Sequence, residues 1–234
     1  MVVDINIGMD RTGVEPGPKA LELARAIDRA EGVRFAGIMG YEGHVLTAWP
    51  DDEKRAQTVA AIEGLLESRR LIEADGIRVG IVSGGGSGNH MFAAAIDGLT
   101  ELQAGGACFM DPFYGELCHL AELGFEYALT ILATVTSRPT PDRVITDAGF
   151  KTLSAKEEWH AIVIGHEDFE LVYLSAEHGV WLRKPDGPPV LIGEQLEIIP
   201  DYHDTTTFRH DAFVGVRDGV AETVIPLLAR GCLR

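Results

Sequence analysis

The run Ser83-Gly84-Gly85-Gly86-Ser87-Gly88-Asn89 is the part of this chain best suited to hold an anion. Glycine has no Cβ, so three in succession let backbone N–H groups close on a phosphate. The Ser83 and Ser87 hydroxyls add donors. The run follows an apolar segment, Ile77 to Val82, broken by Arg78 and Gly80, that reads as a buried strand. A polar turn directly after such a strand is where α/β folds present bare backbone to a phosphate. The spacing fits neither the GxxxxGK[ST] nor the GxGxxG pattern, and a plain flexible turn is the competing reading.

The elements needed to position this loop are legible on either side of it. Val2 to Ile7 reads as a strand, and Pro16 opens a helix to about Ala30 with Leu21, Ala24 and Ile27 on one stripe. Phe35 to Met39 is a second strand. Asp51 and Asp52 cap a long helix to Ala74, with Val59, Ile62, Leu65 and Leu66 inward. Leu99 to Phe109 holds one or two more short strands, and Glu116 to Leu123 a short helix. Four βα-type units predict a mostly parallel sheet. After Gly124 the pattern changes to β-rich runs: Tyr127 to Thr136, Arg143 to Asp147, Phe169 to Ser175, Val190 to Ile199, Ala212 to Val216 and Ala221 to Leu228. Pro139, Asp186-Gly187 and Asp218-Gly219 separate them as turns. The expected organisation is α/β plus β: residues 1–124, then an antiparallel β domain over 125–234.

Composition narrows the function. The formal charge of −16 argues against nucleic acid and against an anionic membrane surface. No apolar run reaches the roughly 18 residues of a membrane span, and the N-terminus carries no secretory pattern. Cys108, Cys118 and Cys232 are widely spaced and odd in number, which suits a reduced cytoplasm. A small ligand is the expected partner.

Four segments carry a resemblance. Val3-Asp4-Ile5-Asn6-Ile7-Gly8-Met9-Asp10-Arg11-Thr12-Gly13-Val14 resembles the strand-and-turn motif of alanine-racemase-like pyridoxal-phosphate enzymes. Gly37-Ile38-Met39-Gly40-Tyr41-Glu42-Gly43-His44 resembles their next strand end, and Val82 to Gly88 their phosphate cup. Thr100-Glu101-Leu102-Gln103-Ala104-Gly105 with Phe109-Met110-Asp111 is similar to the segment leaving the barrel. Within that class the D-threonine aldolase and D-serine dehydratase-like group is most similar, down to the terminal Ala229-Arg230-Gly231. The resemblance implies a partial (β/α) barrel of the alanine racemase type, pyridoxal 5′-phosphate as cofactor, a small D-amino acid as substrate and a homodimer. It also implies roles. Arg11 contacts the cofactor's phenolic oxygen or the substrate, and shares catalysis with His44. Tyr41, Ser83, Gly84, Gly85, Gly86 and Ser87 hold the phosphate, and Tyr114 faces the cofactor. A surface arginine, a capping histidine and a packed aromatic are the plain alternatives.

Two departures stand out. The family places a histidine after Ile-Pro and a second metal ligand two residues later. Here Ile199-Pro200-Asp201-Tyr202-His203-Asp204 puts Tyr202 in the histidine's place. His203 and Asp204 remain a workable pair for zinc or manganese, with a metal-free polar loop as the alternative. The family also holds its cofactor on a lysine near the end of the first barrel strand. None of Lys19, Lys54, Lys151, Lys156 and Lys184 stands at such a strand end, so that strand is expected before Met1. Three readings follow: a lyase for D-3-hydroxy amino acids seen in part, with an altered or racemase-like outcome conceivable, a non-catalytic cofactor- or phosphate-binding remnant, or a small open α/β phosphate-ester binder or hydrolase. An isolated part-barrel also predicts an unpaired edge along Val2 to Ile7 that a second copy would cover.

Overall fold

A computed structural model describes residues 1–154, 160–184 and 187–232, so Lys156 and the Asp186 turn lie outside the described residues. The chain forms two compact units, Met1–Ala107 with Leu117–Leu120, and Cys108–Glu116 with Ala121–Arg234.

In the first unit, β1 (Val2–Asp4), β2 (Gly37–Met39), β3 (Ile81–Gly84) and β4 (Glu101–Leu102) lie side by side in chain order. All three ladders are parallel. Helices α1 (Pro18–Arg29) and α2 (Asp51–Ala74) follow β1 and β2, and a single turn α3 (His90–Ala93) follows β3. This alternation is the arc of a (β/α) barrel. Pro18 opens α1, where its missing N–H costs nothing, and Ala20, Ala24 and Ile27 face the core. The core joins them to Val3, Ile5, Ile38 and Val82 from the strands and to Ile62, Leu65 and Ile72 from α2. Full burial of each large aliphatic side chain contributes about 1.5–3 kcal/mol.

Several expectations need correcting. The N-cap of α2 is Pro50, with no side-chain capping bond; Asp51 and Asp52 sit inside the first turn, where they favour the helix dipole. Val59 is 47% exposed, because it lies at the edge of the stripe formed by Lys54, Thr58, Ile62 and Leu65. Strand β3 begins at Ile81 rather than Ile77, since pairing with β2 starts there. It runs into the glycine segment, so Ser83 and Gly84 are strand residues paired with Glu101 and Leu102. The helix expected over Glu116 to Leu123 is a π-helical turn, Phe113–Leu117, and a 3-10 turn, Ala121–Leu123. The edge beyond β1 is partly covered: Asn6 N–H donates to Val14 O at 2.9 Å and Val14 N–H to Asp4 O at 3.0 Å.

The second unit is antiparallel. Strands β5 (Ile131–Thr140), β6 (Arg143–Thr146), β7 (Ile162–Val163), β8 (Phe169–Leu174), β9 (Gly179–Arg183) and β10 (Gln195–Ile199) form one sheet in the order β7-β10-β5-β6-β9-β8. A short helix α4 (His203–Thr207) leads to a separate ribbon of β11 (Ala212–Arg217) and β12 (Val220–Pro226). Trp181 is fully buried among Val135, Val144, Leu153, Val163, Leu196 and Ile198. The architecture is thus α/β plus β, an arc of parallel strands followed by antiparallel sheets. Among the described residues no helix is long and apolar enough to cross a membrane.

Candidate cofactor and active site

The loop after β1 is shaped by one side chain. Asn6 Oδ1 accepts the N–H groups of Gly8 and Asp10, each at 3.1 Å, and Asn6 Nδ2 donates to Asp10 Oδ1 at 2.9 Å. Asp10 is held at φ 55, a left-handed conformation that aspartate tolerates better than most residues. Thr12 Oγ1 donates to Asp4 Oδ2 at 2.7 Å and closes the far side. The loop carries Arg11 over the ring of Tyr41, 5.3 Å from its centroid. Asp4, Asn6, Met9, Arg11, Thr12 and Tyr41 line a small pocket there.

Tyr41 and His44 follow β2 and fill space left by glycines. A Cβ on Gly86 would lie 3.1 Å from the Tyr41 hydroxyl oxygen. One on Gly8 would lie 2.9 Å from the His44 ring. The structure therefore gathers Arg11, Tyr41 and Gly86 in one place, and sets His44 against the Arg11 loop.

The glycine run is more inward-facing than the sequence suggests. Residues 83–89 are all buried. Ser83 Oγ donates to Glu101 Oε1 at 2.7 Å, and Ser87 Oγ accepts the Ala107 N–H at 3.0 Å. The Gly85 N–H goes to Glu42 Oε2 at 3.3 Å, and the Gly86 N–H to Asn89 Oδ1 at 2.8 Å. Two of the N–H groups expected to face an anion are therefore bonded within the protein. Those of Ser87 and Gly88 meet no side-chain acceptor among the described residues. Gly85 sits at φ 79, and a Cβ there would strike Ala93 at 2.6 Å, so glycine is needed on both counts.

Beneath the loop lies a buried polar set that the sequence reading passed over. Glu42 is fully buried, as are Thr58, Asn89 and Lys54 to within 1%. Asn89 Nδ2 donates to Glu42 Oε1 at 2.6 Å and to Thr58 Oγ1 at 3.1 Å. Lys54 Nζ donates to Gly88 O at 3.3 Å and Cys118 O at 3.1 Å. One signal was available: Lys54 and Thr58 stand on the inward stripe of α2.

In the second unit, Asp111 is the hub. Its Oδ1 accepts the Tyr114 N–H at 3.0 Å; its Oδ2 accepts the His203 N–H at 2.9 Å and meets His203 Nδ1 at 2.5 Å. His203 Nε2 faces Asp204 Oδ1 at 3.2 Å. Burial alone would lower the His203 pKa, but the hydrogen bonds and charges of Asp111 and Asp204 outweigh it and raise it to about 9. Burial, with the Asp204 hydrogen bond, raises the Tyr202 hydroxyl far above its ordinary range. Tyr114 and Tyr202 stack at 6.5 Å. Both ring nitrogens of His203 thus face carboxylates, Asp111 at Nδ1 and Asp204 at Nε2. No group of three or more histidine, cysteine, aspartate or glutamate residues is placed to hold one among the described residues.

Fold and residues together match known proteins. Residues 1–112 match the family model described as "Alanine racemase, N-terminal domain", and residues 128–216 the one described as "Putative serine dehydratase domain". A D-threonine aldolase of Arthrobacter sp is 37% identical over 100% of this chain and 62% of its own length. A 3-hydroxy-D-aspartate aldolase of Paracoccus denitrificans (strain Pd 1222) is 35% identical over 98% of this chain and 60% of its own length. The crystal structure of D-threonine aldolase from Filomicrobium marinum superposes with a TM-score of 0.91 at 31% identity, covering 100% of this chain and 64% of that one. The class is that of alanine-racemase-fold proteins. Within it, the chain belongs to the D-threonine aldolase and D-serine dehydratase-like family. It spans about three fifths of the length of the relatives it matches.

Proposed function

We propose that this chain supplies most of the cofactor-binding and β-domain parts of a pyridoxal-phosphate-dependent lyase for D-3-hydroxy amino acids, of the D-threonine aldolase or D-serine dehydratase kind. The supporting observation is the match, across 100% of this chain and 62% of the relative, to a D-threonine aldolase at 37% identity. The residues around Gly86 suit a phosphorylated pyridine, because the missing Cβ makes room for the Tyr41 hydroxyl, and Arg11 stands beside it as a cation. Once bound, the cofactor supplies an electron sink for cleavage at the substrate's α-carbon.

This chain's own residues do the rest. Tyr41 and the Ser87 hydroxyl hold the phosphate, with the backbone of Ser83 to Gly86 forming the wall behind it. Arg11 gives a planar cation for the cofactor's phenolic oxygen or the substrate carboxylate. His44 moves the proton at the substrate's β-hydroxyl or α-carbon. Tyr114 packs with Tyr202 and, in this reading, faces the cofactor. His203 and Asp204 face each other at 3.2 Å and are the residues that would hold a divalent metal; no step is assigned to one. Lys19 and Lys151 pair with Glu22 and Glu177 on the surface, and Lys54 is bonded beneath the loop; covalent attachment of the cofactor is assigned to none of them. A homodimer in the cytoplasm completes the reading. The exposed Val214, Val216, Val224 and Ile225 of β11 and β12 support the first, and the wide spacing and odd number of the cysteines the second.

The test is turnover by the full chain with pyridoxal phosphate. D-Threonine should give glycine and acetaldehyde, or D-serine pyruvate and ammonia, while the L-enantiomers remain intact. Cofactor binding without turnover would support the non-catalytic reading instead. Neither binding nor turnover would contradict both.

A further inference from the structure

The first unit buries a carboxylate where the proposed function expects an external anion. Glu42 is fully buried, yet it lies against the glycine loop that is read as the phosphate wall. Its two oxygens have separate tasks. Oε2 takes the Gly85 N–H at 3.3 Å, and Oε1 takes Asn89 Nδ2 at 2.6 Å. Asn89 in turn uses its own oxygen to hold the Gly86 N–H at 2.8 Å. Two successive N–H groups of the loop are thus tied, directly and through one amide, to a single carboxylate. Bonds to an ionised acceptor are stronger than neutral ones, and burial deprives the charge of water as a competing partner. From the other side, Lys54 Nζ holds the Gly88 carbonyl at 3.3 Å. An acid grips the loop's donors and a base grips one of its acceptors.

We infer that Glu42 is a positioning residue for phosphate binding: it serves as an internal anion that fixes Gly85 and Gly86, so that the Ser87 end of the loop and Tyr41 meet the ligand's phosphate already in shape. This rests on the cofactor reading above. The function of the network is pre-organisation, since a glycine-rich loop otherwise spends binding energy on ordering itself. The carboxylate is specifically required. An amide at position 42 has one oxygen and one NH2 group, so either the Gly85 N–H or the Asn89 amide would face another donor.

The probes are 4-deoxypyridoxine 5′-phosphate and 4-deoxypyridoxine, which differ only in the phosphate and have no aldehyde to react with lysines. Calorimetric titration of the full chain with both gives the affinity that the phosphate adds, as a ratio of dissociation constants. In the unaltered protein the phosphorylated probe should bind more tightly. In Glu42→Gln that ratio should fall about tenfold, with binding of the unphosphorylated probe unchanged. A merely structural role would weaken both probes together. Asn89→Ala, which releases the Gly86 N–H, should lower the ratio in the same way and decides the matter if Glu42→Gln does not fold. An unchanged ratio in a folded variant would overturn the role of Glu42. Equal binding of the two probes by the unaltered protein would instead overturn the phosphate reading of the loop, and the inference with it.

Discussion

Replacing Asp111 by alanine should cost about 3–5 kcal/mol in urea unfolding, because it strands a buried charge. Asp111 has no exposure, and its two oxygens accept the Tyr114 N–H, the His203 N–H and His203 Nδ1. Alanine leaves all three donors without that acceptor. The loss also has a pH signature. The folded-state pKa of His203 is raised to about 9, above the unfolded value. Its ion pairs therefore stabilise fully below about pH 6.5, and that contribution fades as pH rises through the folded value. Over that interval it amounts to roughly 3 kcal/mol. The gap between the unaltered protein and Asp111→Ala should thus be widest near pH 6 and narrow towards pH 10. A gap below about 1 kcal/mol, or one independent of pH, would show that the hub carries little stability.

Trp181→Ala should cost about as much, 3–5 kcal/mol, by a different mechanism. Trp181 is fully buried on β9, and its indole N–H donates to Thr146 Oγ1 at 3.1 Å. Alanine opens a cavity in the centre of the second core and removes the partner of Thr146, which is also buried. Thermal unfolding should shift downward by several degrees, in one transition or as separate melting of the β unit. A shift within error would mean that the core collapses around the gap.

Strand β9 also marks where sequence patterns lose their grip. The segment Gly-Val-Trp-Leu-Arg ends in Arg183, which pattern reading counts as outward. In the fold Arg183 is buried and pairs with Asp168 at 3.3 Å. The charge that hid the strand is paired through its Nε with a residue fifteen positions away, and no local rule supplies that partner. The extent of helix α2, by contrast, was legible, because Ile62, Leu65 and Leu66 mark its inward stripe, although its cap and Val59 were not. The parallel order of the first four strands was legible too, since alternating strand and helix leave few other connections.

The site divides in the same way. Arg11, Tyr41 and the glycine loop were visible because glycine, and a cation near a strand end, are local signals. Glu42 was passed over although it stands next to Tyr41. A glutamate reads as solvated unless its partners are known, and Asn89 lies 47 residues away. His203 was seen as a ligand candidate, but its partner Asp111 is 92 residues distant. That pairing gives the imidazole a buried carboxylate partner that no local pattern announces. The glycine segment itself was misjudged at its start, where parallel pairing draws Ser83 and Gly84 into β3.

An anion site at the far end of the glycine loop beside Tyr41 is what the proposed cofactor binding requires. Amide resonances of 15N-labelled full chain, followed during titration with pyridoxal phosphate and then with pyridoxal, report on it directly. The signals of Ser87 and Gly88, with those adjoining Tyr41, should move with the phosphorylated compound and stay in place with the other. Identical responses to the two compounds, or movements confined to other parts of the chain, would contradict it.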